Sequence, residues 1–239
     1  MKIAIIGYGK MGKTIERLAT EAGHEIVLKI NMANLDEFTP VNLKKADVAI
    51  EFSRPEAAVE NLKTCIEAGV PVVSGTTGWL DKREEIEKLA LKNNGAFLYA
   101  SNFSIGVNVF FAVNEYLAKM MNSHTQYDVE MEEIHHTEKL DAPSGTGITL
   151  AKQIIQNLGR KQKWVNEAAF QKEDLSLISK RIDKVPGTHT VVYNSSIDEI
   201  EIKHTAHSRE GFALGAIEAA KWIHDKKGIF SMKDVLNLG

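Results

Sequence analysis

The opening of the chain constrains it most. Lys2-Ile3-Ala4-Ile5-Ile6 is a short apolar run, and Gly7-Tyr8-Gly9-Lys10-Met11-Gly12 follows at once. Ile15, Leu18, Ala19 and Ala22 then recur as one face of a helix, and a second strand-like run, Glu25–Ile30, comes next. A G-x-G-x-x-G spacing set between strand and helix, with another strand behind it, is the start of a doubly wound α/β sheet. The glycines let the backbone come close to a pyrophosphate, which rests on the unpaired N–H groups and positive dipole end of the helix. A glycine-rich turn without a ligand is the bland alternative, but it has no need of these flanks. Gly7, Tyr8, Gly9, Lys10, Met11 and Gly12 are therefore candidate cofactor contacts.

The end of the second strand usually carries Asp or Glu, which binds the ribose 2′-OH of NAD. Here it reads Lys29-Ile30-Asn31-Met32. Asn31 can still bond a hydroxyl, and without the acid a 2′-phosphate is not repelled. Use of both NADH and NADPH is expected. Whether Lys29 faces the ribose depends on strand alternation.

Strand and helix patterns alternate through the first hundred residues. Asp47–Phe52, Val70–Val73 and Ala96–Ala100 read as strands; Pro55–Ala68, with Pro at its first turn, and Asp81–Lys92 read as helices. This alternation predicts a parallel sheet with ligands at the carboxyl ends of its strands. Two further loops sit at such ends: Ser74-Gly75-Thr76-Thr77-Gly78 and Ser101-Asn102-Phe103-Ser104. Each alone is ordinary turn chemistry. With the first loop they make one cofactor cleft, phosphates at Gly7–Gly12 and nicotinamide near the other two.

The pattern changes after Phe103. Gly106–Met121 reads as a long apolar helix, and Tyr127, Val129 and Met131 alternate with acids as a strand with one wet face, to which Glu130, Glu132 and Glu133 are assigned. Ser176–Ile182, Thr188–Tyr193 and Ile197–Thr205 read as strands, the last two as a hairpin. This predicts an α+β segment with an open, largely antiparallel sheet, a form that often becomes a subunit interface. Ala213, Ile217, Ala220 and Ile223 then restore a helix placed to dock on the first domain.

The densest chemistry lies between Glu133 and Gly147: His135, His136, Lys139 and a Ser144-Gly145-Thr146-Gly147 run just before the helical spacing Ile148, Leu150, Ala151, Ile154, Ile155, Leu158. Histidine and lysine transfer protons or fix anions, and a helix start favours a carboxylate or phosphate. The pair suits reduction or protonation of a small anionic substrate. A metal pair with Glu133 is disfavoured, because consecutive side chains on a strand point to opposite faces; no metal is expected. His24, His124, His189 and His224 take a structural or surface reading, and His204, His207 and Arg209 either a second basic cluster or solvated surface.

Net charge is −3 with no basic block, so neither nucleic acid nor an anionic membrane is an expected partner. No apolar run is long enough to span a bilayer. A chain beginning directly with a strand is expected to lack a signal peptide, and the single Cys65, set among Leu62 and Ile66, fits a buried thiol in a reducing cytoplasm.

Taken together, Gly7–Gly12, Gly75-Thr76-Thr77-Gly78, Ser101–Asn108 and above all Glu133-Ile134-His135-His136 through Lys139 to Asp141-Ala142-Pro143-Ser144-Gly145-Thr146 resemble the dihydrodipicolinate reductase family of lysine and diaminopimelate synthesis. The resemblance runs in order across most of the chain. It implies a Rossmann dinucleotide-binding domain from both chain ends (1–104 with 209–239) and an α+β substrate and tetramerisation domain with an open mixed sheet (105–208). It implies NADH or NADPH as reductant, a small cyclic dicarboxylate substrate and a homotetramer. Residue by residue, His135 and Lys139 match proton-transfer positions. His136, Lys139, Gly145 and Thr146 match substrate contacts. Gly75, Thr76, Thr77, Ala100, Ser101, Asn102 and Phe103 match the nicotinamide side. The chain is short for the family around residues 32–45, and Asn31 and Met32 stand where many members carry an acid and a base. A different NAD(P)-dependent dehydrogenase of a small amino or keto acid, or a silent nucleotide sensor, are the rival classes; the His-His/Lys/Ser-Gly-Thr set favours the enzyme.

Overall fold

A computed structural model describes residues 1–238. The chain divides into two compact units: residues 1–105 with the C-terminal segment from Glu210, and Gly106–Arg209 between them.

The first unit opens with β1 (Lys2–Ile6), α1 (Lys10–Glu21) and β2 (Glu25–Ile30), and continues through α2 (Pro40–Leu43), β3 (Val48–Glu51), α3 (Pro55–Glu67), β4 (Val72–Ser74), α4 (Arg83–Lys92) and β5 (Ala96–Tyr99). Ile3 to Ile6 are buried in succession, as are all of β3, β4 and β5. Such unbroken apolar runs belong to strands covered on both faces. β1 pairs in parallel with β2 on one side and β3 on the other, and the order β5-β4-β3-β1-β2 reverses direction between β1 and β3. That reversal is where an open α/β sheet binds its ligand.

One face of this sheet packs Leu62, Cys65, Trp79 and Phe97; the other packs Ile3, Ile5, Ile15 and Leu98 against α7 (Glu210–Ile223). Each fully buried isoleucine stabilises by roughly 1.5–3 kcal/mol relative to an exposed one. α7 presents Ala213, Ala216, Ala219 and Ala220, and at Gly215 a Cβ would come within 1.8 Å of the Phe103 carbonyl oxygen. Small residues here let helix and strand-end backbone touch. The recognisable periodicity of the sequence ends with α7. The chain then adds β11 (Gly228–Phe230), parallel to β5 at the sheet edge, and α8 (Met232–Leu236). A three-residue strand is too short to show a period of two.

The second unit holds α5 (Ile105–Met121), β6 (Asp128–His135), α6 (Gly145–Asn157), β7 (Lys163–Val165), β8 (Asp174–Arg181), β9 (Gly187–Asn194) and β10 (Glu199–Ala206). Its sheet runs β10-β9-β6-β8-β7. β9 and β10 form the expected hairpin, and β9 also pairs antiparallel with β6. β6–β8 and β7–β8 are parallel, so the sheet is mixed rather than largely antiparallel. The cause is α6, a crossover long enough to return the chain in the same direction. The apolar side of the sheet buries Val129, Met131, Leu175, Leu177 and Val191 with Leu150 and Ile154 of α6. Among the described residues no helix is long and apolar enough to cross a membrane.

Candidate active site

The glycine loop is built from sterics. Gly7 has φ +97°, and a Cβ there would stand 2.0 Å from the Phe52 carbonyl oxygen; one at Gly12 would stand 2.6 Å from the Gly7 carbonyl oxygen. Gly9, by contrast, has nothing within 4 Å of a Cβ position and caps the start of α1. First and third glycines are thus needed to make the turn, and the second leaves open room over a helix N-terminus, which fits a pyrophosphate. The N–H groups of Gly7 and Tyr8 both donate to the Ile30 carbonyl, at 3.0 and 2.8 Å, tying the loop to the end of β2. Lys10 is exposed and Met11 half-buried.

A cavity of about 460 Å³ lies beside this loop, walled by Gly7, Tyr8, Asn31, Met32, Phe52 and Arg54 among others. Lys29 does not face it as a free cation: its ammonium is 3.0 Å from Glu16 and lies over the Tyr8 ring, whose hydroxyl also bonds Glu16. Asn31 accepts from the Ala33 N–H at 2.7 Å, a local turn that leaves no acid at this position. The charged residue on the wall is Arg54, which no sequence motif singles out; its guanidinium lies 3.2 Å from the Met32 sulfur.

The loops after β3 and β4 are joined by Glu51, which no sequence motif singles out. It is fully buried and accepts from Ser53 N–H at 3.0 Å, Ser74 Oγ at 2.7 Å and Thr76 Oγ1 at 2.9 Å, with Ser53 Oγ also bonded. Burial pushes its carboxyl pKa up while these bonds oppose the rise. Thr76 is therefore buried in a brace, whereas Thr77 and Ser101 are exposed and Gly75 is half-buried against the Phe52 ring. Ala100, Asn102 and Phe103 are buried, and Phe103 packs on Phe52 with centroids 5.6 Å apart. Cys65 is buried as expected, and burial pushes its thiol up.

In the second unit β6 alternates strictly. Val129, Met131, Glu133 and His135 are buried, while Asp128 and Glu130 are exposed. Glu133 is thus not on the wet face assigned to it; alternation itself places it with Val129 and Met131. Sheet register sets Ser179 of β8 on one side of Glu133 and His189 of β9 on the other. Its carboxylate accepts from Ser144 N–H at 2.9 Å, Ser144 Oγ at 2.5 Å and Ser179 Oγ at 3.0 Å. Burial works against this charge, but His189, Ser144 and the Ser144 N–H hold the carboxyl at about 2. Ser144 Oγ accepts in turn from Gly147 N–H at 3.0 Å and caps α6. His189 is buried, its Nε2 3.1 Å from Ser144 Oγ.

His135 is buried, its Nδ1 3.8 Å from Glu133 and its ring edge-on to His189 at 5.1 Å. Burial pushes its pKa down to about 4, against the pull of Glu133. His136 points elsewhere, half-buried, with Nε2 3.0 Å from Arg209, so His136 and Arg209 are brought together. His204 stacks half-buried near Phe110, and His207 is exposed. Lys139 is bound to both oxygens of Asp141, at 2.8 and 2.9 Å. Gly145, in the first turn of α6, is exposed with nothing within 4 Å of a Cβ position; Thr146 beside it is half-buried. Glu133, His135 and His189 offer ligand atoms within 4.8 Å of one another. The Glu133 oxygens already accept from Ser144 and Ser179, while Nδ1 of His135 and Nδ1 of His189 are buried without a hydrogen-bond partner.

A family model described as "Dihydrodipicolinate reductase, N-terminus" matches residues 1–103, and one described as "Dihydrodipicolinate reductase, C-terminus" matches residues 106–236. A 4-hydroxy-tetrahydrodipicolinate reductase of Christiangramia forsetii is 52% identical over 239 residues, covering 99% of this chain and 98% of its own length. One from Neisseria gonorrhoeae is 34% identical over 267 residues, covering 100% of this chain and 98% of that protein. The dipicolinate-bound dihydrodipicolinate reductase from Paenisporosarcina matches with a TM-score of 0.78 over 97% of each chain at 22% identity, a likeness of fold. With both halves matched and full-length relatives this similar, the chain belongs to the dihydrodipicolinate reductase family.

Proposed function

We propose that this chain reduces 4-hydroxy-tetrahydrodipicolinate to tetrahydrodipicolinate in lysine and diaminopimelate synthesis, with NADH or NADPH as reductant. The observation that carries the reading is the 52% identity to a reductase of that name over 99% of the chain. In the balanced reaction one hydride and one proton enter the substrate and one water leaves. When bound, the cofactor supplies the hydride. Gly7–Gly12 hold its pyrophosphate. Asn31 and Arg54 face its adenosine end. Gly75, Thr76, Thr77, Ala100, Ser101, Asn102 and Phe103 serve the nicotinamide end, the buried Ala100, Asn102 and Phe103 chiefly by backbone.

The second unit supplies substrate binding and the proton. Gly145 and Thr146 at the start of α6 take one carboxylate, and His136 and Lys139 add charge-assisted bonds. Lys139 exchanges Asp141 for the substrate as it does so. His135, neutral in the free protein near pH 7, takes up its proton as the dianion arrives, because a nearby negative charge favours the charged ring. It then delivers that proton as general acid. The assembly we expect is a homotetramer formed through the second unit, working in the cytoplasm. The decisive test is a coupled assay with the synthase that makes the substrate, following NADH and NADPH oxidation separately. Oxidation that depends on the cyclic substrate supports the reading; turnover only with open-chain amino or keto acids refutes it.

A further inference from the structure

Ser144-Gly145-Thr146-Gly147 divides its glycines between two tasks. Gly145 is open on its outer side, whereas a Cβ on Gly147 would lie 2.6 Å from Glu133 Oε2. The second glycine makes room for a carboxylate inside the protein. We propose that Glu133 is a positioning residue for the reaction. One carboxylate locks the start of α6 to the end of β6 and supplies the negative charge against which His135 holds its proton. The inference rests on the roles given above to His135 and the α6 start.

The locking is visible atom by atom. Ser144 gives both its N–H and its hydroxyl proton to Glu133, at 2.9 and 2.5 Å, and its oxygen then accepts from Gly147 N–H at 3.0 Å. With its one proton spent, the hydroxyl can only accept from His189 Nε2 at 3.1 Å, which requires a proton on that nitrogen. The chain from Glu133 through Ser144 to Gly147 thus sets where Gly145 and Thr146 stand relative to His135, two residues beyond Glu133 on the same buried face. Ser179 Oγ, at 3.0 Å, anchors the carboxylate from β8.

A helix cap alone does not need an ion. Burying a carboxylate is costly, and the cap of α6 is already the neutral Ser144 hydroxyl. The charge finds its use at His135. The titratable and charged groups facing that ring are Glu133 from β6, His189 from β9, Arg181 from β8 and Lys139 from the following turn. Glu133 is the negative one among them, and Arg181 Nη1 lies 3.7 Å from its oxygen. Among the protein groups, a proton arriving on His135 therefore meets one compensating charge, 3.8 Å away, beside that of the bound substrate.

The test is the pH dependence of kcat and KM for full-length Glu133→Gln, Glu133→Asp and His135→Asn, with cofactor affinity as a control. Gln keeps the shape and loses the charge: the basic limb of kcat, which reports the bound complex, moves toward acid by about 1–3 units. Asp keeps the charge and loses reach to Ser144: the limb stays and KM for substrate rises about ten-fold or more, for the displaced α6 start. His135→Asn removes the limb and slows turnover by roughly two to four orders of magnitude. A Glu133→Gln enzyme whose limb coincides with wild type overturns the charge assignment. Should that variant not fold, a Glu133→Asp enzyme with wild-type KM overturns the positioning assignment. An unimpaired His135→Asn enzyme refutes the proton-delivery reading itself, and this inference with it.

Discussion

The space a side chain at Gly187 would occupy borders the ring of His135. A Cβ at Gly187 would stand 3.2 Å from Nε2 and 3.3 Å from Cδ2 of the imidazole. A methyl there has no hydrogen bond to break, so its effect falls on the ring's position. Gly187→Ala should fold and bind cofactor normally while kcat drops roughly ten-fold or more, since small misplacements of a reacting group cost up to about 100-fold. Unchanged kcat in this variant would show that proton delivery does not depend on how His135 is seated.

Proton delivery and charge fixation separate in two variants. His135→Ala should slow turnover by roughly two to four orders of magnitude. Lys139→Ala should raise KM as well, because its ammonium, held by Asp141 at 2.8 Å in the free protein, is the proposed substrate contact. Cofactor affinity measured by fluorescence should be unchanged in both. Near wild-type turnover in both would remove them from the chemistry.

Gly145 offers a clean probe of the anion site. Its added Cβ meets no protein atom within 4 Å, so Gly145→Ala costs the fold little. Any rise in KM then reports a carboxylate approaching that backbone. Thr146→Val should likewise weaken substrate binding more than thermal stability. Wild-type KM in both variants would place the substrate elsewhere.

Cofactor choice should be broad. No acid stands at Asn31, and Lys29 is engaged with Glu16 rather than free to meet a phosphate. Arg54 is the cation on the cavity wall, so Arg54→Ala should lower kcat/KM for NADPH more than for NADH. Asn31→Asp should shift the ratio toward NADH, because a carboxylate accepts from the ribose hydroxyls and repels a 2′-phosphate. The two specificity constants in wild type and variants decide this. A ratio that neither change moves would clear both residues of reading the ribose.

Acid should unfold the second unit through two groups in sequence. His135 sits at about 4 in the folded chain against an ordinary 6.5, so the unfolded chain binds the extra proton and stability falls as pH drops from 6.5 toward 4. Glu133 sits at about 2 against 4.5, so its contribution is present above 4.5 and is lost as pH falls toward 2. Denaturant midpoints measured against pH should flatten in the upper window for His135→Asn and in the lower window for Glu133→Gln. A wild-type midpoint constant between 6.5 and 4 would contradict the burial of a neutral His135.

The local patterns were legible in the residues because their causes are local. β1, the glycine turn and α1 follow from an apolar run, three glycines at set spacing and a helical face, and the parallel sheet from strands alternating with helices. The start of α6 was readable from Ser144 and two glycines, and the opposed directions of His135 and His136 from strand alternation alone. Even Glu133 was within reach, since it shares parity with Val129 and Met131. Its neighbours Glu130 and Glu132 suggested a wet face, because burying an unpaired carboxylate is prohibitive. Only the tertiary structure supplies the partners that make the burial tolerable. α6 returns β8 parallel to β6, β9 folds in antiparallel, and that register sets Ser179 and His189 on either side of Glu133 with Ser144 over it. The same holds for Glu51 among Ser53, Ser74 and Thr76, and for Lys29, which alternation left undecided until Glu16 stood beside it. Residue types and spacing determine which chemistry a strand end or helix start can offer. Which groups meet, and which charges survive burial, is decided by contacts between segments far apart in the chain.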